Sequence, residues 1–212
     1  MNHTALAPIL EIKDLCFAHP GQPALADGWC ASIGAGVTLL SGDTGSGKST
    51  ILRLIAGSVP AEGQLTLAGV RLDGDPETYR QNVFFVDPAT HAFDNVTAAE
   101  CTATLNADDA RFSKTRRESL IEGFALTPHL HKPMYMLLTG SKRKIWLAAA
   151  LASGRPLTLL DDPTGGLDAA SIRFLWRTLA DLAARPDCAI VVASAAPIDS
   201  VPLAGSIELP LR

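Results

Sequence analysis

Hydrophobic and polar positions along this chain change period several times, and each change marks an element. Residues 10–15 alternate apolar with polar, as a half-covered strand does, and Phe17-Ala18-His19-Pro20-Gly21 predicts a turn before a second apolar stretch at 24–33. The run Gly36-Val37-Thr38-Leu39-Leu40-Ser41 predicts a buried strand, and residues 49–56 a helix that stops at Gly57. Residues 63–72 alternate on either side of a glycine, predicting a strand pair with one exposed face. Asn82-Val83-Phe84-Phe85-Val86 is another buried strand, closed by Asp87-Pro88.

From there to about residue 136 the pattern turns helical. Thr97-Ala98-Ala99-Glu100 has the form of a capping box, and residues 114–124 form a polar helix with Leu120, Ile121 and Phe124 inward. A helix rich in alanine and leucine follows at 143–153. The short buried strand Leu157-Thr158-Leu159-Leu160 then delivers Asp161 and Asp162 at its end. Ile172, Leu175, Trp176, Leu179 and Leu182 form the inner stripe of a helix that ends before Pro186. Residues 189–193 predict a last buried strand and 206–209 an edge. Strands alternating with helices imply an α/β fold, a largely parallel sheet flanked by helices, with an antiparallel β part. The chain reads as a single domain over 1–212, with a helical subdomain at about 89–140 long enough to form a lobe of its own, and with an untethered start at 1–8. Ligands are expected at the carboxyl ends of the strands.

Bulk composition narrows the setting. The 212 residues, 47% hydrophobic, suffice for a real core. A net charge of −4 and a pI near 5.7 argue against nucleic acid as a partner. No basic-then-apolar leader and no long uncharged apolar run is seen, so neither secretion nor a membrane span is expected. Cys16, Cys30, Cys101 and Cys188 show no C-x-x-C pairing, and the expectation is a reducing cytoplasm with the thiols as small core residues.

The candidate chemistry centres on Gly42-Asp43-Thr44-Gly45-Ser46-Gly47-Lys48-Ser49-Thr50, which fits G-x-x-x-x-G-K-[ST] between a predicted strand and a predicted helix. Glycines there let backbone N–H groups turn inward on a phosphate, and the helix N-terminus adds partial positive charge. Lys48 is placed to reach the β- and γ-phosphates of ATP and Ser49 to offer its hydroxyl to Mg²⁺, with Thr50 bonding nearby. An acidic residue ending an apolar strand supplies the hard oxygen that the ion also needs, and Asp161 fits that role.

With these two anchors the chain resembles the ATP-binding cassette ATPases, the nucleotide-binding subunits of ABC transporters, over nearly all of its length. Residues 42–50 look like Walker A and 157–161 like Walker B. Asp162-Pro163-Thr164-Gly165-Gly166-Leu167-Asp168 resembles the segment of catalytic glutamate, Pro, Thr and D-loop, with Asp168 as the D-loop aspartate. Phe93-Asp94-Asn95-Val96-Thr97-Ala98-Ala99-Glu100 resembles the start of the helical subdomain in exporter-type members. The resemblance implies a homodimer or a heterodimer with another such subunit, two ATP sandwiched between them, a separate transmembrane permease subunit, and a peripheral place on the cytoplasmic face of a membrane.

Several positions depart from the family pattern. The signature motif falls on Leu137-Leu138-Thr139-Gly140-Ser141, with Leu138 where the family has serine; a shift by one restores a hydroxyl at Thr139 but breaks the spacing downstream. Asp162 stands in place of the catalytic glutamate, its carboxylate about 1.5 Å further back. Ser194 takes the place of the switch histidine and Val86 that of the Q-loop glutamine, with Asp87 either a substitute acting through a water or a strand-end turn residue. The adenine-stacking ring falls near His19, with Phe17 the other candidate. Lys142-Arg143-Lys144 either faces phosphates or is a solvated helix start.

Two functions are weighed. One is an ATPase subunit of an ABC transporter that hydrolyses ATP slowly, with Lys48, Asp161 and Asp162 as catalytic residues. The other is a hydrolysis-deficient regulatory or structural partner that closes on ATP. A small P-loop kinase is disfavoured by the helical insertion and the Asp168 segment.

Overall fold

The computed structural model describes residues 7–211, so most of the expected untethered start lies outside the described residues. β1 (Leu10–Ala18) runs three residues past its predicted end and takes in Phe17 and Ala18, and the turn begins only at His19, whose carbonyl accepts from the Gln22 N–H. β1 pairs antiparallel with β2 (Ala24–Ile33) on one side and β4 (Glu62–Leu67) on the other, and β4 with β5 (Val70–Arg71). The alternation in β1 is carried by buried Leu10, Ile12 and Leu15, with a slip in register where Asp14 takes a positive φ.

The second sheet has the order β6-β7-β8-β3-β9 and is parallel throughout. Its strands are β3 (Gly36–Ser41), β6 (Val83–Phe85), β7 (Leu157–Asp161), β8 (Ala189–Ser194) and, at one edge, β9 (Leu203–Glu208). Continuous apolar runs are needed here because both faces are covered. In β8, Ile190 and Val192 enter one core while Ala189, Val191 and Ala193 enter the other; β3 divides Val37 and Leu39 from Leu40 in the same way.

One core lies between the two sheets around α1 (Lys48–Ile55), which buries Ile51, Leu52, Leu54 and Ile55. α2 (Pro76–Gln81) was not expected from periodicity. Its signal is local: Asp75 caps the Thr78 N–H at 3.1 Å, proline occupies the first turn, and Tyr79 is the one buried side chain, donating to the Ile55 carbonyl at 2.8 Å.

The other core lies under α3 (Ala98–Leu105), α4 (Lys114–Gly123), α5 (Thr139–Ala152) and α6 (Ala169–Ala183). Both halves of the Thr97–Glu100 capping box are present. α5 begins four residues earlier than predicted, because polar Thr139, Gly140 and Ser141 carry no apolar period that would reveal a helix. The insertion does not have a core to itself: Ala98, Cys101, Leu120, Ile121 and Phe124 share one cluster with α5 and with Val37, Leu160 and Val192 of the sheet. The thiols divide likewise. Cys101 and Cys188 are buried, and burial pushes the Cys101 thiol up to about 12. Cys16 is half-buried and Cys30 exposed on the antiparallel sheet, so only two of the four are core residues.

Polar ties reinforce the apolar join between insertion and sheet. The Asp109 carboxylate accepts from Ser153 Oγ and the Gly154 N–H, both at 2.7 Å, and from the Arg111 N–H at 3.0 Å. Arg155 donates to the carbonyls of Val83 on β6 and Leu105 on α3, both at 3.2 Å, with its guanidinium over the Phe84 ring. Burial alone would raise the Asp109 carboxyl, but the Ser153, Gly154 and Arg111 donors and the Arg155 charge together hold it below the usual carboxylate range. A carboxyl depressed in the folded state adds stability that is complete above its unfolded value of about 4 and is lost as pH falls through the folded value. Asp109→Ala is expected to cost about 2–3 kcal/mol in urea unfolding at neutral pH. The variant should also lose less stability than the wild type as pH falls below about 4.

Candidate functional site

Residues 42–47 turn sharply out of β3 because three glycines take positive φ: 154° at Gly42, 82° at Gly45 and 98° at Gly47. Gly47 is doubly required, since it is also the N-cap of α1 and a Cβ there would strike the Leu25 side chain of β2. No side chain caps α1, which leaves its first-turn N–H groups free of side-chain partners. Lys48 folds back over the loop, donating to the carbonyls of Gly42 at 2.6 Å and Asp43 at 2.7 Å. Ser46 Oγ is buried without a partner. A glycine arch, unspent N–H groups, an inward ammonium and an orphaned hydroxyl fit a bound phosphate chain.

Asp161 reaches the same cleft by register. It lies opposite Ala193 of β8, which on its other side lies opposite Leu40 of β3, one residue before the loop strand ends. Neighbouring strands are about 4.8 Å apart, so two strand spacings carry the carboxylate to roughly 10 Å from the β3 axis, on the same edge of the sheet. Thr44, Gly45, Gly47, Lys48, Ser49, Thr50, Asp161, Asp162 and Ala195 line one open cleft of about 540 Å³. His19 sits at its margin with Nε2 3.3 Å from Thr50 Oγ1, and the Phe17 ring meets it edge to face at 5.0 Å. The two candidate rings are thus neighbours.

Other predicted positions are occupied differently. Asp87 is not turned into the cleft: it accepts from Arg53 Nε at 2.7 Å and from the Ala89 N–H at 2.9 Å, which is the strand-end use. The Arg53 hydrogen bond holds its carboxyl below the usual range. Val86 lines a small cavity of about 30 Å³ behind Asp161 with Phe84, Trp146 and Leu160. Ser194 is buried and its hydroxyl closes on the next turn, donating to the Ala196 carbonyl at 2.8 Å and accepting from its N–H at 3.0 Å. Leu138 is the N-cap residue of α5, makes no side-chain cap and is 82% exposed. Gly140 lies against Gly166, where a Cβ would collide with the Gly166 carbonyl oxygen.

The side chains of the basic run at the start of α5 are mostly covered, each against an acidic partner, and the partner of Arg143 lines the cleft. Lys142 pairs with Asp94 at 2.8 Å, Arg143 with Asp162 and Lys144 with Asp168 at 2.6 Å. Asp168 also caps the Ser171 N–H at 2.9 Å, and Lys144 with that cap holds its carboxyl well below the usual range. Arg143 as a partner of Asp162 was not foreseen, since no local pattern links residues 19 apart on different elements.

Comparisons with known proteins identify the family of this fold. The family described as ABC transporter matches residues 33–165. The cytochrome c biogenesis ATP-binding export protein CcmA of Rhodospirillum rubrum is 39% identical over 141 residues, covering 66% of this chain and 60% of that protein. The protein of the same name from Paramagnetospirillum magneticum is 34% identical over 177 residues, covering 80% of each. A solved ATP-binding subunit of an ABC transporter superposes with a TM-score of 0.76 at 24% identity, over 87% of this chain and 79% of that one. With the family match across 33–165 and 34% identity over four-fifths of both chains, this chain belongs to the ABC transporter family, as an ATP-binding subunit.

Proposed function

We propose that the cleft holds MgATP and hydrolyses it slowly, and that the chain works against a separate transmembrane permease subunit. The observation that carries this reading is the convergence of Lys48, Ser49 and Asp161 on one cleft at the carboxyl edge of the parallel sheet. In this reading the N–H groups of the loop that make no internal bond and the Lys48 ammonium bind the β- and γ-phosphates, and Ser49 and Asp161 hold Mg²⁺. The ion supplies charge neutralisation on the phosphates when bound. His19, with Phe17 behind it, offers a ring to the base.

Slow turnover is supported by what surrounds the phosphates. Asp162 is a short carboxylate beside a guanidinium, Ser194 spends its hydroxyl on its own turn, and Val86 offers no polar group. A general base contributes about 10²–10⁴-fold only when it is within hydrogen-bond reach of the water. Exposed Tyr135, Met136 and Leu138 beside Gly140 support a partner covering this face, as a homodimer or a heterodimer of such subunits. No described helix is long and apolar enough to cross a membrane, which suits a peripheral subunit on the cytoplasmic face. The segment at about 89–140 is read as a helical subdomain within a single 1–212 domain, although its core is continuous with that of the sheet.

Titration calorimetry with MgATP is expected to give a saturable heat, and Lys48→Ala to weaken the affinity roughly 10- to 100-fold through loss of charge-assisted bonds. An unchanged affinity in Lys48→Ala would refute the site. Steady-state phosphate release at saturating MgATP is expected below about 1 s⁻¹, the lower end of common enzyme turnover.

A further inference from the structure

Three consecutive cations at the start of α5 reach three different aspartates, because successive residues on a helix point about 100° apart. Lys142 reaches the insertion, Lys144 reaches the start of α6, and Arg143 reaches the residue that follows Asp161. Of the three cations Arg143 is the most covered, although its partner carboxylate is exposed. Its side chain is only 15% exposed, and Nη1 donates to the Asp162 carbonyl oxygen while lying 3.5 Å from Asp162 Oδ2.

The backbone of Asp162 is held at both its N–H and its carbonyl, while its side chain stays 61% exposed. Its φ is 42°, a left-handed conformation uncommon for a residue with a side chain. Its N–H donates to the Ala193 carbonyl of β8 at 3.0 Å, and its carbonyl also accepts from the Gly165 N–H at 3.1 Å. Gly165 has no positive φ to explain it. A Cβ at that position would lie 2.5 Å from Arg143 Nη1 and 2.6 Å from Asp162 Oδ2, so the missing side chain is what leaves room for the pair. The carboxylate itself borders the Lys48–Asp161 cleft.

We propose that Arg143 is a positioning residue that restrains Asp162, holding its backbone turn and drawing its carboxylate toward α5, so that the chain's turnover is limited by this contact as well as by the short side chain. A guanidinium partner sets the direction in which the carboxylate points, and a general base acts only when it lies within hydrogen-bond reach of the water. The inference rests on the reading of the cleft as a MgATP site.

The test combines calorimetry with phosphate release on the full chain. Arg143→Gln is expected to raise kcat about ten-fold, a partial recovery of the range a general base supplies, with KM for ATP and the calorimetric affinity unchanged. The double variant Arg143→Gln, Asp162→Asn should lose that gain, since the gain acts through Asp162. Gly165→Ala, which crowds the same pair without removing a charge, should move kcat in the same direction and guards against a folding defect in the first variant. A kcat that is unchanged or lower in Arg143→Gln and Gly165→Ala, with MgATP affinity retained, overturns the inference. Weakened MgATP binding in Arg143→Gln also overturns it, because the guanidinium would then be serving the phosphates. Absence of any MgATP heat in the wild type would instead sink the reading of the cleft.

Discussion

Register in the parallel sheet is the constraint on which the rest of the molecule depends. Leu40 and Asp161 both lie opposite Ala193, so the ends of β3 and β7 are level although about 120 residues separate them in the chain. A slip of one residue in either pairing would turn every side chain of that strand to the opposite face. The alternate burial of β8 into two distinct cores forbids that slip. What brings a lysine and an aspartate to one cleft is therefore the packing of Ile190, Val191 and Val192, well away from the cleft itself.

Glycines carry the second constraint, close approach. Gly47 admits Leu25 beside the start of α1, Gly140 admits the carbonyl of Gly166, and Gly165 admits the Arg143–Asp162 pair. In the last two cases backbone from the segment after β7 lies against the first turns of α5. Movement of α5 would thus be felt at Asp162 and Asp168 through contacts with little room to adjust.

Charge is arranged to reinforce that joint. Asp94 from the insertion and Asp162 and Asp168 from the segment after β7 meet three consecutive cations of one helix, while Asp109 and Arg155 bind the insertion to β6 and the end of α5. The cations of these pairs are mostly covered while Asp162 and Asp168 stay largely exposed, so the pairs fix an arrangement more surely than they add net stability. The helical insertion is accordingly joined to the sheet by apolar packing and by polar ties at two places.

The glycine–lysine loop, the flanking strand and helix, the buried strands of the parallel sheet, the Thr97 capping box and the strand that ends on Asp161 were all legible in the residues, because each is a local pattern of period, cap or turn. Short α2 escaped because one buried tyrosine makes no period, and the first turn of α5 because its residues are polar. What only the tertiary structure decided are the partnerships. Asp87 went to Arg53, Ser194 to its own turn, Lys142, Arg143 and Lys144 to three aspartates, and Cys16 and Cys30 to the antiparallel sheet outside the core. The physical reason is range: a backbone conformation is chosen by neighbours a few residues away, whereas a charged or hydroxyl side chain takes whichever partner the packing of distant elements brings within about 3 Å.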